Sequence, residues 1–176
     1  MKFKLLIGFL VLGSLFIYIT SQKVEVREEQ KKVGPVYAKP GATSINPELQ
    51  KRFNEAKAAA ELEGINLYIQ SGYRSIELQT QLFKNAIDKY GSADEASKWV
   101  SPPSVSRHPQ GIAIDVNYPA DPVGAKWLEV NGFKFGLCRV FENEWWHFEP
   151  NIAPGQTCPP RYLNAMDREA RNIQGW

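Results

Sequence analysis

The sequence predicts a small α+β domain, a small antiparallel sheet with N-terminal helices packed around it. Three observations predict it. Apolar residues recur at helical spacing in two segments of the first half. A short apolar–polar alternation separates those segments. The second half then holds two stretches, 111–116 and 135–148, that read as short strands.

The elements follow in order. Asn46 suits an N-cap and Pro47 a first helical residue. Leu49, Phe53, Ala56 and Ala60 then share one helical face, and Gly64 ends the helix. Ile65, Leu67 and Ile69 alternate with Asn66, Tyr68 and Gln70, the pattern of a half-buried strand. A second helix is expected over 75–90, with Leu78, Leu82, Phe83 and Ile87 on its apolar side. Ser92 followed by Glu95 resembles a capping box for a short third helix, which Pro102 and Pro103 stop. A helical stretch over 125–130 ends at Asn131-Gly132.

The front of the chain differs from the rest. Lys2 and Lys4 precede an apolar run over 5–19, broken only by Gly8, Gly13 and Ser14. A basic start followed by such a run reads as a signal peptide or an uncleaved signal anchor over 1–22; a buried core helix is the alternative. Residues 23–45 read as a polar linker, 46–165 as the folded domain and 166–176 as a C-terminal tail. The expected location is therefore outside the cytoplasm, in the periplasm or cell envelope, with membrane contact only through the N-terminal segment.

That segment takes two of the 21 basic residues and no acid, leaving nineteen bases against nineteen acids. A formally neutral domain without a basic stripe does not suit a nucleic-acid partner. With 43% hydrophobic residues and no repeat, the chain supports a core without help from metals or cross-links. A monomer is expected. The two cysteines, Cys138 and Cys158, form a disulfide candidate in an exported chain, against the alternative of two free thiols. Closing that loop is worth about 3 kcal/mol in the chain-entropy model.

Chemistry concentrates around two histidines, His108 and His147. His108 precedes Gly111-Ile112-Ala113-Ile114-Asp115. In a strand there, Ala113 and Asp115 share one face, and Ile112, Ile114 and Val116 the other. The isoleucine face suits a core; the opposite face offers a carboxylate beside a small residue. The second cluster is Glu144-Trp145-Trp146-His147. Two imidazoles and a carboxylate are a common ligand set for catalytic zinc, with a further carboxylate as general base. Spacing alone leaves other readings open: surface or core histidines, Arg74 in a simple salt bridge, and Trp145 and Trp146 as core.

The strings Ser106-x-His108-x-x-Gly111-x-Ala113-x-Asp115 and Glu144-x-Trp146-His147, with Ser71-Gly72-Tyr73-Arg74-Ser75 and Gln79 upstream, resemble the VanY-type D-alanyl-D-alanine carboxypeptidases. These belong to the LAS zinc peptidases, which include L-alanyl-D-glutamate endopeptidases. The similarity runs over about 46–150, with three motifs in the family's order. It implies an LAS-like fold, one Zn2+ per chain, and peptidoglycan stem peptides as substrate. His108, Asp115 and His147 would be zinc ligands and Glu144 the catalytic base. Arg74 with Gln79 would stabilise the oxyanion, while Ser106 and Tyr73 would contact substrate. Pro109 and Trp145 occupy variable positions and leave this chemistry intact. The resemblance implies a D,D-carboxypeptidase, with an endopeptidase as the alternative and a non-catalytic wall-binding module as a further one.

Overall fold

The computed structural model describes residues 34–36 and 41–173. The expected signal segment 1–22 and most of the linker 23–45 lie outside the described residues. Helix α1 (Pro47–Leu62) starts as the sequence predicts: the Asn46 side chain accepts from the Glu48 N–H, and proline opens the first turn. Its Leu49, Phe53, Ala56 and Ala60 are buried together with Arg52. The Arg52 guanidinium is tolerated there because it donates to the Gly136 and Ile152 carbonyls and to Glu48.

Strand β1 (Ile69–Ser71) is followed by helix α2 (Ile76–Tyr90), capped by the Ser75 hydroxyl, and the short helix α3 (Ala93–Ser97), capped by Ser92. Strand β2 (Ile114–Val116), helix α4 (Pro122–Asn131), strand β3 (Cys138–Arg139) and strand β4 (His147–Glu149) complete the sheet region. The strands run in the order β1-β2-β4-β3, antiparallel throughout. The core lies between α1, α4 and one sheet face. It holds Leu49, Phe53, Leu67, Val116, Leu128 and Phe148 among others.

Three expectations are corrected. The strand expected from Ile65 begins only at Ile69, although Leu67 is fully buried. On α2, Leu78 and Leu82 are exposed rather than core, and the buried positions are Gln79 and Ala86. Of the segment 166–176, set apart as a tail, the described residues lie in helix α5 (Ala165–Ile173), in which Arg168 is buried. Asn164 caps this helix by accepting from the Met166 and Asp167 N–H groups. A parallel bridge between Phe141 and Tyr162 ties the approach to α5 onto the domain. Helix α5 has few apolar residues, which is why the sequence did not set it apart as a helix. Its attachment rests on Ala165, packed with Val140 and Phe141, and on the Arg168 ion pair.

Cys138 and Cys158 pair as a disulfide, joining β3 to the segment that leads to α5.

Candidate active site

The two central strands set the site. In β2 and β4, Asp115 lies opposite His147 and Ile114 opposite Phe148. Alternation sends Ile114, Val116 and Phe148 into the core and leaves Asp115, His147 and Glu149 on the other face. His108 arrives from a 3-10 turn, His108–Gln110, closed by Gly111 at φ 70°. A side chain at Gly111 would also collide with the Ser44 carbonyl oxygen, so this position needs glycine twice over.

His108, Asp115 and His147 are all buried, and one ligand atom from each lies within 4.8 Å of the others. His108 Nε2 is 3.4 Å and His147 Nδ1 3.3 Å from the same Asp115 oxygen, Oδ1. Each ring is held from behind. His108 Nδ1 lies 2.7 Å from the Gly72 carbonyl, an acceptor, so this nitrogen carries the proton. His147 Nε2 lies 3.0 Å from Glu149 Oε1. With both outer nitrogens donating, Nε2 of His108 and, once His147 is neutral, its Nδ1 are the lone pairs turned inward, the usual arrangement behind metal-ligating histidines. Two nitrogens and one carboxylate oxygen converging in this way fit a divalent metal of the zinc type.

Glu144 stands beside this group, Oε2 3.6 Å from His147 Nδ1. Burial raises its pKa, and the negative charge of Asp115 adds to the effect. Burial would raise Asp115 too, but the charges and hydrogen bonds of His108 and His147 hold it well below the ordinary carboxylate range. Burial lowers the His108 pKa despite the pull of Asp115. For His147 burial is outweighed by hydrogen bonds to Asp115 and Glu149, with Glu144 adding its charge, and the pKa is pushed up to about 10. Glu149 is held down to about 2, because His147 and Arg168 outweigh its burial.

Arg74 pairs through Nη2 with Asp115 Oδ2, through Nη1 with Gln79 Oε1 at 3.2 Å, and through Nε with Ser71 Oγ at 2.9 Å. Among the described residues, three of the five guanidinium N–H groups are thus used. Gln79 is buried and is itself fixed by donating to the Ser101 carbonyl at 2.8 Å. Ser106 is buried, and its hydroxyl has no hydrogen-bond partner among the described residues.

These groups line a cavity of about 550 Å³. Its lining includes His108, Asp115, His147, Glu144, Arg74 and Ser106. Leu78, Leu82, Trp99, Tyr118 and Trp146 line it as well. Leu78 and Leu82 of α2 therefore line this cavity rather than the core. Tyr73, expected to contact substrate, is half-buried and is not among the residues that line it.

Residues 42–149 match the family profile VanY, D-alanyl-D-alanine carboxypeptidase. The chain belongs to this family. A D-alanyl-D-alanine carboxypeptidase of Enterococcus faecalis is 30% identical over 128 residues, covering 59% of this chain and 46% of that protein. The chain spans less than half the length of the curated relatives it matches. Among solved structures, VanYB in complex with D-alanine-D-alanine is similar, with a TM-score of 0.55 at 22% identity, covering 80% of this chain and 88% of that one. A zinc-bound VanY D,D-pentapeptidase from a VanB-type resistance cassette gives a TM-score of 0.56 at 23% identity over 64% of this chain and 76% of that one. The LD-carboxypeptidase LdcB gives 0.53 at 21% identity over 81% of this chain and 72% of its own. At these identities the structures show a shared fold, the LAS-type fold that the motifs imply.

Two residues of the site were missed by sequence reasoning. Glu149 was not singled out, although two residues along a strand from His147 returns to the same face. Arg168 gave no signal at all, since it lies in the segment taken for a tail.

Proposed function

We propose that the chain is a zinc-dependent peptidase of the cell envelope that removes the terminal D-Ala from peptidoglycan stem peptides, a D,D-carboxypeptidase. The observation that carries this reading is the convergence of His108, Asp115, His147 and Glu144 in one cavity of a chain that belongs to the VanY family.

His108 Nε2, His147 Nδ1 and an Asp115 oxygen would hold the ion. Zinc, when bound, supplies Lewis acidity to the scissile carbonyl and to the attacking water. Glu144 accepts the proton of that water and delivers it to the leaving amine; its raised pKa suits both duties. Arg74 presents its remaining N–H groups to the developing oxyanion and so favours the transition state over the ground state. Gln79 keeps the guanidinium aimed by accepting from Nη1. Ser106 brings to the cavity a buried hydroxyl without a partner among the described residues, which a substrate polar group would satisfy. A wall-binding module needs neither a general base nor an oxyanion donor, and Glu144 and Arg74, to which this reading gives those roles, line the cavity.

Export is proposed with the activity. The apolar segment at the front of the chain and the Cys138–Cys158 disulfide both suit an oxidising compartment. A reporter fused after Gln22 should be active only outside the cytoplasm.

Digestion of purified muropeptides, followed by mass spectrometry, tests the activity. The expected product is the pentapeptide stem shortened by one alanine. Loss of alanine from tetrapeptide stems alone would point to an L,D-carboxypeptidase. Release of a larger stem fragment would assign an endopeptidase, and no cleavage with zinc bound would overturn the enzyme reading.

A further inference from the structure

Behind His147 lies a chain of contacts that ends on the last helix. Glu149 Oε1 is 3.0 Å from His147 Nε2 and also accepts from Arg168 Nη1 at 2.7 Å. The Arg168 guanidinium lies over the Phe141 ring at 4.9 Å, and that ring is 5.1 Å from the His147 imidazole. Arg168 Nη2 also faces the Val105 carbonyl at 3.4 Å, next to Ser106. One side chain of α5 thus braces the strand that carries His147 and the loop that carries Ser106.

We infer that Arg168, acting through Glu149, is a positioning residue that sets the orientation of His147 toward the metal; this rests on the zinc reading above. A buried carboxylate is costly unless paired. Glu149 is almost fully buried, and its partners are His147 and Arg168. When His147 serves as a neutral ligand, Arg168 is the cation left to balance Glu149. The carboxylate can then stay behind the ring and hold its Nε2–H, which fixes Nδ1 on the metal side. The family match ends at Glu149, nineteen residues short of Arg168, so this support comes from outside the matched region.

Zinc affinity of the full chain, measured by competition with a chromophoric chelator, tests the inference without reference to activity. Arg168→Gln and Glu149→Gln should each weaken zinc binding at least about 10-fold, as loss of a ligand's supporting contact does. The double variant should bind zinc no more weakly than Glu149→Gln alone, because Arg168 acts through that carboxylate. Arg168→Lys, which keeps the charge, should recover part of the affinity. Unchanged affinity in Arg168→Gln would overturn the inference. So would a loss that adds in full to that of Glu149→Gln, since a role confined to Val105 or Phe141 gives additivity. Should Arg168→Gln fail to fold, the same cycle is run with Arg168→Lys, and non-additivity remains the expected result. Absence of zinc binding by the unsubstituted chain would overturn the metal reading together with this one.

Discussion

Asp115 and His147 are cross-strand partners on the antiparallel pair β2 and β4, and their side chains meet at 3.3 Å on the face turned away from the core. Two of the three prospective ligands are therefore placed by sheet register alone. Sliding β4 by one residue would put Phe148 in the site and His147 in the core, so the core that holds Phe148 also holds the metal geometry.

One zinc per chain is expected from elemental analysis of the protein. His108→Ala or His147→Ala should weaken binding by more than the roughly 100-fold that loss of a supporting contact can cost. Chelator competition checks this, and tight one-to-one binding by either variant would remove that histidine from the ligand set.

Glu144→Gln should fold and retain zinc yet lose at least about 100-fold in turnover, the lower end for general acid–base catalysis. Steady-state kinetics on a stem peptide, beside a zinc titration, separates the possibilities. Loss of zinc would make Glu144 a ligand or a support for one, and near-normal turnover would move the base to another carboxylate.

Arg74→Ala should slow turnover by about 100-fold or more, as removal of an oxyanion donor does. Gln79→Ala should produce a smaller loss, because Gln79 touches the guanidinium and not the reacting atoms. The two effects should not add, since Gln79 works through Arg74. A Gln79→Ala loss that persists undiminished in the Arg74→Ala background would show a separate role.

The metal-free protein should lose stability on both sides of neutrality. His147 is raised from an ordinary value near 6.5 to about 10. Its contribution is therefore fully present below about pH 6.5 and is lost as pH rises through 10. Glu149 is depressed from about 4.5 to about 2, so its contribution is present above 4.5 and is lost as pH falls through 2. In the zinc-loaded protein Nδ1 of His147 carries no proton, so the alkaline loss should disappear. Urea unfolding across this range, with and without zinc, measures the difference; identical alkaline slopes would contradict the assignment of His147 as a ligand.

Much of the layout was legible in the sequence because local rules govern it. Asn46-Pro47 and Ser75 start helices where cap chemistry predicts, since the cap bonds lie within three residues. The strand expected over 111–116 is shorter, Ile114–Val116, and within it the alternation separates Ile114 and Val116 in the core from Asp115 on the other face. Leu78 and Leu82 misled because helical periodicity reveals an apolar stripe without revealing what covers it. Here they border a cavity. Arg168 was unreadable for the opposite reason: a lone arginine on a polar helix becomes significant only when a buried carboxylate meets it.

By itself the sequence determined the types of chemical group available, the helix starts, the strand faces and, through its motifs, the family. Those properties follow from side-chain chemistry and from backbone periods of 3.6 and 2. Only the tertiary structure decided that Cys138 meets Cys158, that Gln79 and Ser71 orient Arg74, that Tyr73 stays out of the cavity, and that Glu149 and Arg168 stand behind His147. Each of these depends on register, burial and packing between distant segments, and a side chain's neighbours across such distances are set by the whole fold.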